Sequence, residues 1–351
     1  MNAKRPHAPM QILVTGGAGY LGSILVPQLL ARGHGVRVLD TFAFRDASLA
    51  ASQNHACELI RGDIRSTPDL SNALRGCNAV VHLAGIVGDP ACDANPQLAS
   101  EVNLDATRTL IHLAAKSGVA RFVFASSCSV YGASDSTLDE TSSLNPLSIY
   151  AQAKIDSEQF LLSARSATFA PVILRFGTLF GLSPAMRFDL VVNLLVARAA
   201  ATGRITLFNE DQWRPFLHVE DAARAVLACL DAASSIVSGQ IFNAGSPDLN
   251  LRIRDVGDAV QRLIPGTMVD RFENHADRRN YRVSFGKIQR ALGFSPGRTL
   301  DSGIAEMYAS ILPELAADSA AKWFEKRASP AIVSCSPQTL LRTARRLAAS
   351  R

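Results

Sequence analysis

Tyr150 and Lys154 stand four residues apart in the stretch 146 to 165, which reads as one long helix, so both side chains share a helix face. An ammonium beside a phenol favours the phenolate and brings a tyrosine pKa of ~10 toward working pH, which lets the tyrosine take a proton from a substrate hydroxyl. A Tyr-x-x-x-Lys pair is common in helices and means little alone. Two other segments give it weight: a glycine-rich turn near the start of the chain, and the Ser-rich "SSCSVYG", 126 to 132, about twenty residues upstream of Tyr150.

The turn is "ILVTGGAGYLGS", in which Gly16, Gly19 and Gly22 recur at three-residue spacing between a strand and a helix. Glycines there permit a tight turn, let backbone approach a pyrophosphate and let the helix pack on the strand, with the helix amino terminus facing the phosphates. Asp40 closes the next strand, "VRVLD", where a carboxylate accepts hydrogen bonds from both ribose hydroxyls and repels a 2′-phosphate. This favours NAD over NADP, with Arg45 near enough to soften the preference. Asp63 in "RGDI" is placed either to meet the adenine end or simply to stabilise its turn.

The elements that must position these residues alternate. Short apolar runs at Ile12–Val14, Val36–Leu39, Leu59–Ile60, Ala79–Leu83, Phe122–Phe124 and Val172–Leu174 are separated by helical stretches at 20–32, 67–75, 97–117 and 146–165. That rhythm predicts an α/β fold, a Rossmann-type doubly wound parallel sheet over residues 10–180, with returning segments from about 205–245. Residues 181–315 are expected to form mainly a smaller C-terminal α/β substrate-binding lobe, with a helix near 186–201. Residues 1–9 read as a tail and 316–351 as a basic extension ending in a helix capped by Ser336.

The chain has 351 residues, 48% of them apolar, and no run reaches the ~20 uncharged apolar residues of a membrane span. The first nine residues lack the apolar core of a secretory signal, so a cytoplasmic protein is expected, with no membrane partner. The six cysteines form no C-x-x-C pair and have no histidine at zinc spacing, so reduced thiols and no metal are expected. The net charge of +5 comes from the two tails; the body between them is acidic overall, which argues against a nucleic-acid groove.

Taken together, "TGGAGYLG", Asp40, "GDI", "HLAG" from His82, "VNLDATRTL" around Asn103, "SSCSVYG", Tyr150-x-x-x-Lys154, "LRFGTLFG" and "RPFLHVEDAARA" resemble the extended short-chain dehydrogenase/reductase family. The likeness covers roughly residues 10 to 300. It is strongest to the NAD-dependent nucleotide-sugar epimerase/dehydratase branch, UDP-glucose 4-epimerases in particular. The resemblance implies a catalytic set of Ser127, Tyr150 and Lys154. It implies NAD contacts from Gly16, Gly19, Tyr20, Leu21, Gly22, Asp40, Asp63, Ile64, Leu83, Ala84, Gly85 and Asn103, as well as from Tyr150 and Lys154. The expected partner is a nucleotide-diphosphate sugar, with phosphate contacts from Arg214, Arg278, Arg279 and Arg282 and further substrate contacts from Cys128, Ser129, Thr178 and Asn193. Asp89, Cys92 and Asp93 are expected to border the sugar, and His218 to be structural. The family also implies a homodimer through the helices at 97–117 and 146–165, with Leu110, Ile111 and Ala114 in the contact.

Departures from the family narrow the chemistry. Its 4,6-dehydratases carry Asp and Glu directly after the catalytic Ser/Thr, because eliminating water needs a base and an acid. Here Cys128 and Ser129 stand there, and neither replaces a carboxyl group near neutral pH. Cys128 also falls three residues before Tyr131, whereas the acid/base cysteine of GDP-fucose synthases falls two before the equivalent tyrosine. Thr178 takes the place of an asparagine that contacts the diphosphate in many epimerases. The expectation is therefore a nucleotide-sugar 4-epimerase working through a 4-keto intermediate. A nucleotide-sugar reductase or dehydrogenase with the same residues is the alternative. A dehydratase and a non-catalytic NAD sensor come further behind.

Overall fold

The structure is a computed structural model, and it describes residues 8–43, 54–273 and 279–317. Arg45, Arg278, Cys335 and the expected C-terminal helix lie outside the described residues.

The chain opens with strand β1 (Gln11–Thr15), turns through the glycines into helix α1 (Gly22–Ala31), and returns as β2 (Gly35–Asp40) and β3 (Cys57–Arg61). Strand β4 (Ala79–His82), helix α2 (Ala106–Lys116), β5 (Arg121–Ser127), helix α3 (Ile149–Ser163) and β6 (Ala170–Phe176) follow. The chain then leaves the sheet, forms α4 (Val191–Thr202), and comes back through α5 (Val219–Asp231) into β7 (Gln240–Ala244). The sheet runs β7-β6-β5-β4-β1-β2-β3 with every neighbour parallel, the Rossmann-type order. The nearly all-apolar β4 and β6 are buried along their whole length, as a strand covered on both faces requires.

Every strand points the same way, so the segments after β1, β2, β3, β4 and β5 meet at one carboxyl edge. That edge gathers the glycine turn, Asp40, Asp63, Leu83–Gly85 and Ser127. His82 helps fix it: the ring bridges Thr15 (2.6 Å) and Thr107 (2.9 Å) across β1, β4 and α2. Burial holds that ring neutral, its pKa lowered to about 3, with Lys154 adding to the effect.

The smaller lobe has its own core. Val192, Val196 and Ala199 of α4 pack with residues of α6 (Ile253–Leu263) and with Ile304 and Met307 of α7 (Leu300–Ala317). Of the segment 205–245, the strand Arg204–Phe208 belongs to this lobe, pairing with Met268–Phe272, while α5 and β7 belong to the large sheet. A parallel pair between Ala133–Leu138 and Asn280–Val283 ties the chain after β5 to the lobe.

Three expectations change. The helix at 97–117 is broken: Pro96–Ser100 passes through a π turn at Glu101–Asp105 before α2 begins. The π turn carries Asn103, whose amide then reaches back to the loop after β4. The helix near 186–201 starts only at Val191, so Arg187 sits in the preceding loop. Leu110, Ile111 and Ala114 are fully buried against the chain's own sheet and cannot supply a contact to a second copy. Among the described residues no helix is long and apolar enough to cross a membrane, and no cluster of side chains suits a metal ion.

Candidate active site

The glycine turn shows why Gly16 and Gly22 are needed. Gly16 has φ +70°, and a Cβ there would lie 2.7 Å from the Ala84 nitrogen; a Cβ on Gly22 would lie 2.5 Å from the Gly17 oxygen. Backbone therefore lines the turn at the head of α1, which suits a pyrophosphate. Asp40 is pinned at the end of β2 by the N–H groups of Ala18 (3.0 Å) and Phe42 (2.9 Å). Gly16→Ala is expected to cost about 1–3 kcal/mol in stability through its positive φ and to weaken NAD binding sharply, as calorimetric titration would show.

Asp63 faces Arg65, which donates to both of its oxygens (2.6 Å at the shorter), and that hydrogen bonding holds the carboxyl below its usual range. Ile64 and Leu21 are both buried, in different core clusters. Asn103 accepts from the Ile86 N–H (2.8 Å) and donates to the Ile86 oxygen (2.9 Å), and a Cβ on Gly85 would stand 2.9 Å from its Oδ1. Its part is to shape the loop after β4.

Ser148 caps α3 and accepts from the Ala151 N–H (3.2 Å), so Tyr150 enters in the first turn with only 8% of its surface exposed. Tyr150 packs with Cys92, Ala99, Ile86 and Val87. Burial raises its pKa; Arg187 pulls it down, Cys92 and Asp89 push it up, and a hydrogen bond with Ser127 lowers it. Lys154 Nζ donates to the Ala125 oxygen (2.8 Å) and lies 5.5 Å from the centre of the Tyr150 ring. Burial lowers the Lys154 pKa to about 8, against the opposing pull of Glu158 and Cys92. Ser127, Tyr150 and Lys154 thus come together at the carboxyl end of β5.

Ser127 also accepts from the Ser129 N–H (3.1 Å), capping a short 3₁₀ turn, Cys128–Tyr131, that bends the strand end. The Ser129 hydroxyl oxygen is buried with no hydrogen-bond partner, a state that costs free energy. Cys128 was expected among the substrate contacts, but it is fully buried among Val130, Tyr131, Tyr281 and Phe285, where its thiol donates to the Arg175 oxygen (3.2 Å). Burial also keeps that thiol protonated. Asn193 is likewise corrected: it is fully buried, and both ends of its amide are used by Gly181, Tyr20 and Arg187.

Around the mouth, Thr178 is half-buried at the start of a short strand after β6. Arg214 donates to the oxygens of Trp213 and Arg279 and to Gln212, and Arg279 pairs with Asp89 at 3.1 Å, joining the lobe to the loop after β4. Arg282 stacks on Trp213 and donates to the Asp135 oxygen (2.8 Å). Burial, with Asp89 and Asp93 adding, pushes the Cys92 thiol up to about 11. His218 is buried and bonded to Glu306 at 2.6 Å, a structural role.

A profile of the NAD dependent epimerase/dehydratase family matches residues 12–245. The chain belongs to that family. It is an NAD-dependent enzyme, and the glycine turn and Asp40 fit its cofactor. A UDP-glucose 4-epimerase of Azospirillum brasilense is 29% identical over 321 residues, covering 85% of this chain and 90% of its own. Among solved structures, a UDP-glucuronic acid 4-epimerase of Bacillus cereus, in complex with UDP-glucuronic acid and NAD, is 26% identical. Its TM-score is 0.78, over 87% of this chain and 100% of that one. A dTDP-glucose 4,6-dehydratase of Streptomyces venezuelae with NAD bound is 28% identical, with a TM-score of 0.79 over 88% and 98%.

Two residues of this epimerase/dehydratase site escaped the sequence reading. Arg187, in "SPAMRFDL", carries no periodic signal. Glu158 did carry one: it continues the Tyr150, Lys154 spacing down the same face of α3, and it pairs with Arg175 beneath the site (2.6 Å).

Proposed function

We propose that this protein is a nucleotide-sugar 4-epimerase acting through a transient 4-keto sugar. The observation that carries the reading is the meeting of Ser127, Tyr150 and Lys154 at an end of β5 where neither following residue is a carboxylate. NAD, when bound, supplies a hydride acceptor and donor. Tyr150 takes the O4 proton and gives it back; Ser127 holds O4 by a hydrogen bond; Lys154 keeps positive charge against the Tyr150 ring. Ser129, whose hydroxyl is buried and unpartnered, would reach a second sugar oxygen only by turning toward the site. Cys128 is sealed away from the site, so the residues after Ser127 give no acid and base for loss of water.

The sugar's diphosphate is proposed to meet Arg214, Arg279 and Thr178 at the lobe, and Arg278 and Arg282 remain proposed partners on sequence grounds. A homodimer through α2 and α3 would have to use their outer faces, where Arg108 lies 5.9 Å from the Phe160 ring, rather than Leu110, Ile111 or Ala114. Size-exclusion chromatography giving a strict monomer at micromolar concentration would remove it.

Incubating the protein with UDP-, dTDP-, GDP- and CDP-sugars and reading product stereochemistry by NMR tests the activity. An epimerase is expected to invert C4 with no net NADH consumed. Formation of one NADH per product would instead make it a dehydrogenase, and, with NADH added, consumption of one per product a one-way reductase.

A further inference from the structure

Tyr20 belongs to the glycine turn, yet its hydroxyl is tied to the other lobe. It donates to the Gly181 oxygen (2.6 Å) and accepts from Asn193 Nδ2 (3.1 Å). Asn193 closes the link: its Oδ1 accepts from the Gly181 N–H (3.1 Å), and its Nδ2 also donates to the Arg187 oxygen (2.9 Å). Ser183 fastens the same loop to the turn through the Tyr20 oxygen (2.7 Å) and Ser23 Oγ (3.1 Å). At the loop's end the Arg187 guanidinium is held by Asp189 and donates to the Val87 oxygen (3.3 Å). Val87 packs in the small cluster that contains Tyr150.

We propose that Arg187 is the permanent cation that this protein sets beside Tyr150, and that Tyr20 and Asn193 are positioning residues that hold it there from the dinucleotide turn. The inference rests on the reading of Tyr150 as the base. The groups facing Tyr150 come from four elements. Cys92 packs in the Tyr150 cluster from the helix Asp89–Ala94, at whose start Asp89 sits, Ser127 comes from the end of β5, Lys154 from Tyr150's own helix, and Arg187 reaches Val87 of the same cluster from the loop before α4. Burial opposes the phenolate, and Arg187 is the strongest influence in its favour. Lys154 is the other cation near the ring, and a titratable one. Its ammonium is bonded to Ala125 and, with a pKa of about 8, sheds its proton in mildly alkaline solution, whereas a guanidinium does not. A fixed cation in a low-dielectric site lowers the pKa of a neighbouring phenol.

The test follows Tyr150 ionisation in the NAD-loaded, full-length protein by ultraviolet difference absorbance. The chain has five tyrosines, so the Tyr150 signal is taken as the difference from the Tyr150→Phe protein. Arg187→Gln is expected to move half-ionisation upward by about one pH unit or more, a roughly tenfold loss of phenolate at fixed pH. Arg187→Lys is expected to restore part of the shift, and Asp189→Asn, which removes the anion beside Arg187, to move it downward. Tyr20→Phe keeps the ring but frees the loop and is expected to shift half-ionisation upward by less than Arg187→Gln. An unmoved titration in Arg187→Gln overturns the proposal. If that variant does not fold, an unmoved titration in both Arg187→Lys and Asp189→Asn does the same, and an unmoved Tyr20→Phe overturns the positioning part. No sugar is needed for this readout, so a wrong sugar assignment would appear in the NMR panel and leave the titration intact.

Discussion

Tyr150→Phe is expected to lower kcat by about 10²–10⁴-fold, the span a positioned general base contributes, while the protein still folds and binds NAD. The hydroxyl is the only atom removed. The ring still fills its place against Cys92, Ala99, Ile86 and Val87, and the dinucleotide turn lies across the sheet edge at Gly16–Gly22. A lost hydrogen bond with Ser127 costs stability by about 1 kcal/mol, too little to unfold a domain of this size. The discriminating measurement is kcat beside the NAD dissociation constant and the melting temperature. A fall in kcat alone supports Tyr150 as the base. Near-normal turnover would mean that another group takes the O4 proton, and among the groups around Tyr150 the protonated Cys92 and the salt-bridged Asp89 are poorly suited to that work.

What the sequence disclosed of this site was its local part. A glycine turn between strand and helix, an acid at the end of the next strand and two residues four apart on a helix are each set by a few neighbouring residues, so their geometry follows from backbone rules. Partnerships set by tertiary packing were not legible. Cys128 and Asn193 have the polarity of substrate contacts, and only the packing of β6 and of the loop at Gly181 shows that their polar atoms are already used. Leu110, Ile111 and Ala114 mark an apolar helix face, but spacing does not say whether that face meets the chain's own sheet or a second copy; here it meets the sheet. The pairing of Ala133–Leu138 with Asn280–Val283 spans more than 140 residues, beyond any local signal. Arg187 shows the same limit most clearly, since one arginine before a helix looks like any surface charge until the Tyr20 and Asn193 bonds place it.

Glu158→Gln is expected to destabilise the protein by about 3–5 kcal/mol. Glu158 is 2% exposed and Arg175 3%, and they meet in a two-pronged pair, with Arg175 Nε 3.0 Å from one carboxylate oxygen and Nη2 2.6 Å from the other. Ser126 donates to the same carboxylate, Arg175 Nη1 donates to the Tyr131 hydroxyl (3.0 Å), and that hydroxyl donates to Asn243 Oδ1 (2.8 Å). Burial alone would lower the Arg175 pKa, and the pairing with Glu158 more than reverses it. The network therefore ties α3, β5, β6 and β7 together directly beneath Tyr150 and Lys154. Glutamine keeps the shape but strands an uncompensated guanidinium in the core. Replacing both partners with methionine removes both charges and should recover most of the loss, because desolvation offsets much of what a buried pair gains. Urea unfolding of the two variants decides the point. If Glu158→Gln and the double replacement lose the same stability, the cost lies in packing rather than in the stranded charge. If both fold as well as wild type, the pair does not hold the floor of the site.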